Sequence, residues 1–284
     1  MQSNWTLKDD IREYWSKRAE TFDLSPGHEI FGDDERAAWH TLIRRHLGKG
    51  EGRAVLDLAS GTGVISRLLA ETGFKVTGLD FSEPMLERAR QKHGKLKTGA
   101  TFLIGDAEDT RQPDGHFDAI ATRHLVWTLP DPRAAFADWF RVLKPGGKVL
   151  IVDTDMAARS LRQRLLRKLA AWLRAVAPHP AVTHGVDRET HNRILEQVHF
   201  ARGARAEDIA ALLAEAGFED IVIDRDHGAI RKAQGRQMPL HQRIDRASQD
   251  RYAIRASKPL QPAAAAPANE NVADAAKVGL AAGG

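Results

Sequence analysis

Three aspartates stand at the ends of apolar runs, beside a turn with two glycines, and together they could hold a nucleotide-like ligand. The first, Asp57, lies near the end of the run 54–58. Gly61 and Gly63 follow it, just before an apolar run with helical spacing. Glycine accepts a positive φ and lets the backbone approach a ligand, and the unpaired N–H groups of a helix N-terminus point into the same space. The spacing predicts a nucleotide-like ligand at this turn, with an ordinary tight turn between strand and helix as the alternative.

The second and third aspartates end the next two runs that read as strands. Asp80 closes the run 75–80, and Asp106 closes the run that begins near residue 100. A carboxylate can accept hydrogen bonds from both vicinal hydroxyls of one ribose, and its charge disfavours a phosphate at that position. We therefore predict that Asp80 binds a ribose. The alternative is that Asp80 is a surface acid without a ligand.

A fourth apolar run, 117–122, leads into groups that could take part in a reaction. Arg123 and His124 follow it directly, and Trp127 comes three residues later. Histidine is the commonest general base, whereas arginine binds anions through paired N–H groups. We predict that His124 acts as a base and that Arg123 orients an anion, with a histidine that only shapes the pocket wall as the alternative.

The elements that position these residues alternate along the chain. Apolar runs that read as strands alternate with helical runs, and a Pro-Gly-Gly turn at 145–147 leads into a fifth strand that ends at Asp153. Such alternation is typical of an α/β protein with a doubly wound parallel sheet covered on both faces. Ligands of such sheets bind at the carboxyl ends of the strands, where the polar residues stand.

Five sequence blocks in this region together resemble the class I S-adenosylmethionine-dependent methyltransferases. The blocks are VLDLASGTG, GLDFSEPMLERAR, GDAED, FDAIATRHLVW and LKPGGKVLIVD. The similarity is closest to the small-molecule branch that includes the ubiquinone and menaquinone biosynthesis enzymes. It implies a doubly wound, seven-stranded Rossmann-like sheet with N-terminal helices and a helical insertion after strand five. It also implies S-adenosylmethionine as cofactor and S-adenosylhomocysteine as product.

The same resemblance assigns parts of the cofactor to strand ends. It implies that the methionine end lies at the glycine turn, the ribose and adenine at the end of strand two, and the adenine edge at the end of strand three. The cofactor-binding residues that it implies are Asp57, Ala59, Ser60, Gly61, Thr62, Gly63, Asp80, Phe81, Asp106, Ala107 and Arg123. Ala59 replaces the first glycine of the usual turn, and a positive φ there would cost roughly 1 kcal/mol.

The mechanism that follows is in-line transfer of a methyl group to a lone pair or carbanion of a small-molecule acceptor. Because the donor is already electrophilic, alignment can supply roughly 7 to 11 kcal/mol, and a base is needed only when the acceptor arrives protonated. A non-catalytic protein that binds S-adenosylmethionine as a sensor remains an alternative. A nicotinamide-dependent dehydrogenase is disfavoured, because Ser66 stands where its third glycine is required.

Helical segments are expected to cover this site. In the N-terminal cap, 1–48, Tyr14 and Arg18 are candidates for contacts with the ligands, and Trp127 of the core is a third. Trp15 and Phe22 share their spacing, but packing into the core explains these two aromatic residues equally well.

The insertion 156–206 is predicted to form a lid that selects the substrate. It contains four histidines, at positions His179, His184, His191 and His199. His191 and His199 are two helical turns apart, so we expect them on one helix, facing a pocket. No carboxylate or cysteine completes a metal pattern with them, and we expect no metal site.

The remaining boundaries follow from composition. The core spans 49–155 and resumes at 207–258 with a helix, a Gly217 cap, a sixth strand and, by the resemblance, an antiparallel seventh strand. The segment 259–284 is rich in alanine and proline and reads as a flexible tail.

Composition and charge narrow the location and the partners. The chain has 284 residues, 42% of them hydrophobic, and no apolar run near the roughly 20 residues that span a bilayer. The polar N-terminus and the absence of cysteine favour the cytoplasm and exclude disulfides and thiolate chemistry. A net charge of +4 is too small to indicate nucleic acid. We expect a monomer or a homodimer.

One segment concentrates basic charge. Residues 159–174 contain no acid, and their basic residues are Arg159, Arg162, Arg164, Arg167, Lys168 and Arg174. Apolar side chains recur at helical spacing through the same segment, and we call these five the apolar stripe: Leu161, Leu165, Leu169, Trp172 and Val176. We expect the apolar stripe to pack over the sheet with the basic face in water; contact with a membrane surface or with RNA is the alternative.

Overall fold

The computed structural model describes residues 6–24, 27–157, 160–176 and 187–260. Seven strands form one sheet in the order β3-β2-β1-β4-β5-β7-β6. Strands β1 to β5 pair in parallel, and β7 is antiparallel to both β5 and β6. The strands are β1 Ala54–Leu58, β2 Lys75–Asp80, β3 Thr101–Ile104, β4 Phe117–Arg123, β5 Leu143–Asp155, β6 Glu219–Asp224 and β7 Asp250–Ser257. The predicted doubly wound, seven-stranded sheet is confirmed.

Ten helices flank the sheet in the described part of the chain. They are α1 Leu7–Arg18, α2 Asp33–Leu47, α3 Val64–Glu71, α4 Glu83–Leu96, α5 Pro132–Val142, α6 Leu161–Val176, α7 Arg188–Gln197, α8 Ala206–Glu215, α9 Gly228–Gly235 and α10 Leu240–Ala247. The short pair α9 and α10, between β6 and β7, is not predicted from the sequence. Within the described residues, no helix is both long and apolar enough to cross a bilayer.

Alternation along the central strand explains how the sheet is covered on both sides. Leu56 and Leu58 face the layer that contains Trp139 of α5, whereas Val55 faces the layer that contains Trp39 of α2. Successive side chains of a strand point to opposite faces, so an entirely apolar strand requires helices on both. The run 54–58 is therefore central in the sheet.

The order of the strands brings the predicted polar residues to one edge. Chain order reverses on the two sides of β1, and Leu58 near its end pairs with Leu79 of β2 and Thr122 of β4. A crevice opens at such a switch point, outside the carboxyl ends of the strands. The ends of β1, β2 and β4 therefore share this crevice.

The expectation for the apolar stripe is wrong. All five of its side chains are exposed, from 43% for Leu169 to 71% for Leu161, and α6 buries only Ala170 among its residues. Helices α2, α3, α5 and α8 already cover the two faces of the sheet, so α6 packs against α10 instead. Arg159 lies outside the described residues.

The expectation that His191 and His199 share a helix is also wrong. Helix α7 ends at Gln197, and His199 lies in the turn that follows, exposed and beside Phe200. His179 and His184 lie outside the described residues, as does the tail from residue 261 onward.

Candidate active site

The glycine turn has the left-handed conformation that its sequence predicts. The φ angles are 51° at Ala59, 53° at Gly61 and 80° at Gly63. Gly63 is the N-cap of α3, and a Cβ there would lie 2.7 Å from Nε2 of His93, which donates to the Gly63 carbonyl at 2.8 Å. Ala59 has the positive φ that costs about 1 kcal/mol relative to glycine. The turn retains this conformation despite the alanine.

Asp57 lies beneath the turn, not at the surface of the crevice. The residue is 1% exposed, and its Oδ2 accepts a hydrogen bond of 2.5 Å from the Ser66 hydroxyl. Its Oδ1 is buried and has no hydrogen-bond partner among the described residues. Burial raises the pKa of this carboxyl to about 7. A buried acceptor without a donor is uncommon and indicates unmet hydrogen-bonding capacity next to the turn.

Asp80 joins the end of β2 to the glycine turn. Its Oδ2 accepts from the Gly61 N–H at 2.8 Å, and its Oδ1 accepts from the Ser82 N–H at 2.9 Å. Burial raises the pKa of this carboxyl to about 6. Because each carboxylate oxygen has a second lone pair, Asp80 can bind further donors.

A narrow slot of about 40 Å³ begins at Asp80 and runs along the ends of β2 and β3. Its walls are mainly apolar and include Ala59, Leu79, Phe81, Ala107, Leu125 and Leu129. Lys8 of α1 lies at its acidic edge, where its Nζ is 2.6 Å from Oδ2 of Asp106 and 2.5 Å from Oε2 of Glu108. Apolar side chains with acceptors along one edge are the chemistry that a heteroaromatic ring with N–H donors requires, and such a ring would need the slot to widen.

A much larger cavity, of about 600 Å³, lies on the other side of the switch point. We call it the large cavity. It brings together four residues that the sequence marks as ligand contacts, Tyr14, Arg18, Trp127 and His191, and places them with His124. Its other apolar wall residues include Trp15, Phe22, Leu195 and Phe200. His199 does not line it.

His124 occupies an unusual backbone position in this cavity. Its φ is 61°, which few residues other than glycine adopt, and its N–H donates to the Val152 carbonyl at 3.1 Å. Its Nδ1 lies 3.7 Å from Oδ1 of Asp153, and its ring is 6.4 Å from that of His28. Burial and the neighbouring Arg123 charge hold the pKa of His124 well below its usual 6.5. The imidazole is therefore neutral near pH 7 and can accept a proton.

Arg123 does not line either cavity, although the sequence predicts that it contacts the ligands. Its Nη2 donates to the His28 carbonyl at 2.9 Å, and its guanidinium carbon is 5.4 Å from the Trp39 ring centroid. Arg123 therefore anchors the segment around His28 to the end of β4.

Several residues of the large cavity were not among the predicted site residues, and His28, Asp153, Arg246 and Arg251 are among them. Asp153 could have been found, because the sequence places it near the end of β5, which the structure extends to Asp155. Its two oxygens accept from the N–H groups of Val126 and Thr154 at 3.1 and 2.9 Å, and burial raises its pKa to about 7. The two arginines belong to α10 and the start of β7, where no motif marks them.

Comparisons with known proteins show which proteins this chain resembles. A sequence model described as "Methyltransferase domain" matches residues 56–151. A demethylmenaquinone methyltransferase of Renibacterium salmoninarum is 27% identical over 212 residues, which cover 70% of this chain and 82% of that protein. A geranyl diphosphate methyltransferase solved with GPP and sinefungin superposes with a TM-score of 0.58 at 16% identity, covering 89% of this chain and 100% of that one.

A second solved structure is longer than this chain. Phosphoethanolamine N-methyltransferase 2 of Haemonchus contortus, in complex with phosphomonomethylethanolamine and S-adenosylhomocysteine, superposes with a TM-score of 0.62 at 18% identity. The match covers 90% of this chain but 60% of the Haemonchus protein, less than two thirds of its length. The sequence match and the sheet order make this chain an S-adenosylmethionine-dependent methyltransferase with the class I fold, whose cofactor is S-adenosylmethionine and whose sequence is similar to that of demethylmenaquinone methyltransferases.

Proposed function

We propose that this enzyme methylates a small-molecule acceptor held in the large cavity. The observation that carries the proposal is the position of this cavity, which is large enough for a small molecule and opens beside His124 at the switch point. S-adenosylmethionine, when bound, supplies a methyl group that the acceptor's electron pair takes as the carbon–sulfur bond breaks, which leaves S-adenosylhomocysteine. The protein contributes alignment and exclusion of water.

The residues on the other side of the switch point fit this cofactor. We assign the ribose to Asp80, which retains free acceptor capacity, and the adenine to the narrow slot with Phe81 and Ala107. We assign the methionine end to the turn at residues 59–63, where Asp57 has an oxygen without a donor. Asp106 and Glu108 offer acceptors at the edge of the slot once Lys8 moves away.

We assign the role of general base to His124. It is neutral, it lines the large cavity, and its Nδ1 lies 3.7 Å from Oδ1 of Asp153, a group that can take up the proton in turn. An acceptor whose nucleophile is already deprotonated would not need this base. Arg123 positions His28 and the end of β4, and does not contact the acceptor.

We also propose that α6 lies on an anionic membrane surface. Its exposed apolar stripe is flanked by Arg162, Arg164, Lys168 and Arg174, and the helix contains no acid. A helix with one apolar face and a basic polar face binds at the interface of anionic lipids, where both faces are satisfied. This surface follows Met156 and Ala157, two residues of the large cavity, so acceptors dissolved in the bilayer would reach the cavity from its edge.

Sedimentation with vesicles tests the membrane surface. The full chain should sediment with vesicles of phosphatidylglycerol and phosphatidylcholine and not with phosphatidylcholine alone. The double variant Leu165→Asp, Trp172→Asp should lose this binding, whereas Leu260→Asp, at an apolar residue that is 77% exposed elsewhere, should retain it. Absence of binding by the native chain, or dissociation of a dimer by the same double variant, would show that the stripe has another partner.

Two measurements on the native enzyme test the methyl transfer. Calorimetry should show binding of S-adenosylhomocysteine, and mass spectrometry should detect a gain of one methyl group in at least one acceptor from a panel of quinone precursors, phenols, amines and thiols. Binding of the cofactor without any methylated product across the panel would favour the sensor function. We expect the enzyme in the cytoplasm, with residues 1–48 as cap and 156–206 as lid.

A further inference from the structure

Two arginines in the large cavity are held side by side by one amide oxygen. Nη1 of Arg246 and Nη1 of Arg251 donate to Oε1 of Gln234 at 3.1 and 3.0 Å. The Nε2 of Gln234 donates to Oε1 of Glu35 at 2.8 Å, and this contact fixes which end of the amide faces the arginines. Both Gln234 and Glu35 are almost fully buried. The two guanidinium groups are therefore oriented by a buried network.

The charges around this pair are not balanced within the cavity. Among the described residues that line it, four are arginines, Arg18, Arg202, Arg246 and Arg251, and only one, Asp153, is an acid. The buried Nε of Arg251 has no hydrogen-bond partner among the described residues. Glu35 accepts from the Gln234 amide behind the pair, and its negative charge acts on both arginines without lining the cavity. A concave, positively charged wall with an orphan donor attracts an anion.

The pKa values of the pair agree with this charge distribution. Burial and the charges of Arg246 and Arg123 lower the pKa of Arg251 to about 9, and burial also lowers that of Arg246. A bound anion would raise both pKa values back toward their usual range, because it would stabilise the charged forms. The folded protein thus bears an electrostatic cost that an anionic ligand would relieve.

We propose that Arg246 and Arg251 form an anion-binding subsite, and that the acceptor is an amphiphilic molecule with a carboxylate or a phosphate on an apolar body. The two guanidinium groups are the reason for assigning an anion, because guanidinium binds carboxylates and phosphates through parallel N–H donors. The apolar body is assigned by the apolar lining of the same cavity, which contains Trp15, Trp127 and Phe200. This inference rests on the proposed function, because it takes the large cavity as the acceptor site.

The cofactor's own carboxylate is a second source of negative charge, and the geometry assigns it to a different cation. Phe22 lies over the glycine turn, where its Cε1 is 4.0 Å from the position a Cβ of Gly61 would take. The guanidinium carbon of Arg18 is 6.0 Å from the Phe22 ring centroid, so Arg18 is the cation on the cofactor side of the cavity. Arg251 belongs to β7, which pairs with β5 beyond β4.

The test uses the full chain saturated with S-adenosylhomocysteine, so that the cofactor's carboxylate is already in place. Calorimetry then compares 2-naphthoate and 2-naphthyl phosphate with neutral 2-naphthamide, which has the same ring system. At least one anion should bind more tightly than the amide. Arg251→Met should weaken that binding roughly 10- to 100-fold, the usual value of a hydrogen bond to a charged group, and leave the affinity for S-adenosylhomocysteine unchanged.

Two further variants make the result specific. Arg255→Met removes an arginine from the same strand that borders a separate surface hollow, and it should leave both affinities unchanged. Arg251→Lys keeps the positive charge but lacks the paired N–H donors of a guanidinium group, so it should weaken anion binding by less than Arg251→Met does. The lysine variant also tests the proposal if the methionine variant fails to fold. Equal binding of anions and amide, or loss of S-adenosylhomocysteine affinity in Arg251→Met, would overturn the proposal. Failure of the native chain to bind S-adenosylhomocysteine would instead contradict the proposed function.

Discussion

The two sides of the switch point are built in different ways. The cofactor side consists of three short segments at the ends of β1, β2 and β3, and its central contacts are backbone conformations and hydrogen bonds to backbone N–H groups. The acceptor side collects side chains from α1, α7, α10 and the ends of β4, β5 and β7. A site built from backbone geometry restricts its sequence locally, whereas a site built from remote side chains can change one residue at a time. The cofactor side is therefore recognisable in the sequence as a motif, whereas the acceptor side is not.

Substitution of His124 is expected to change catalysis more than any other single change, without changing the binding of the cofactor. Asparagine tolerates the left-handed φ of 61° at this position, so His124→Asn removes the base without straining the backbone. With an acceptor that arrives protonated, kcat should fall by about 100-fold or more while cofactor affinity is retained. Steady-state kinetics with a phenolic acceptor measures kcat. Calorimetry with S-adenosylhomocysteine measures the affinity for the cofactor.

The pH dependence of the native enzyme sharpens this prediction. Because the pKa of His124 lies well below 6.5, its protonation should reduce kcat only at pH values well below that point, and kcat should not rise between pH 6.5 and 8 on account of this group. An unchanged kcat in His124→Asn would show that the histidine only shapes the wall.

Substitution of Asp80 should give the next effect, confined to the cofactor side. Asp80→Ala removes the proposed acceptors of the ribose hydroxyls and the partner of the Gly61 N–H. The affinity for S-adenosylhomocysteine should fall by about 1 to 3 kcal/mol, or roughly 5- to 150-fold. Calorimetry measures the loss, and Asp33→Ala, at a fully exposed acid of α2, is the control. Full affinity in Asp80→Ala would reject the assignment of the ribose.

The glycine turn should tolerate less change than its neighbouring helix. In Gly63→Ala the new Cβ would lie 2.7 Å from Nε2 of His93, at a φ of 80° that alanine disfavours. The free energy of unfolding should fall by about 1 to 3 kcal/mol. Gly94→Ala is the matched control: a Cβ there meets nothing within 4 Å, and the helix α4 should gain up to about 1 kcal/mol. Urea denaturation measures both, and equal values would show that the turn is not restricted.

The buried acid beneath the turn should make the stability of the fold depend on pH. The folded Asp57 carboxyl has a pKa of about 7, whereas that of an unfolded aspartate is about 4, so the folded chain holds this proton more tightly. The free energy of unfolding should therefore fall as pH rises from about 4 to about 7, and this contribution should be constant above that range. Asp57→Asn should show a shallower fall, measured by urea denaturation at several pH values. Part of the fall should persist, because Asp80 and Asp153 titrate in the same direction.

The sequence predicts the sheet and the cofactor side because both depend on local patterns. The strand ends at Asp57 and Asp80, and the turn around Gly63, follow from periodicity and from the conformations that glycine allows. The apolar stripe shows the limit of such patterns, because helical spacing identifies an apolar face but does not say what covers it. Whether α6 packs on the sheet depends on how much of the sheet other helices have already occupied.

The acceptor side could be predicted only in part. Tyr14, Trp127 and His191 were found because aromatic and titratable side chains stand out in helical or loop segments. Arg246 and Arg251 were not found, because surface arginines are common and their pairing depends on Gln234, a residue of another helix. Contacts of this kind arise from tertiary packing, so they produce no periodic pattern in the sequence.

Helix α1 borders both halves of the site at once. Lys8 and Ile11 line the narrow slot, while Tyr14, Trp15 and Arg18 line the large cavity. One helix thus forms part of the wall of two compartments, and a displacement of α1 would change access to both of them. The ion pairs from Lys8 to Asp106 and Glu108 join this helix to the end of β3, so they connect the position of α1 to the acidic edge of the slot.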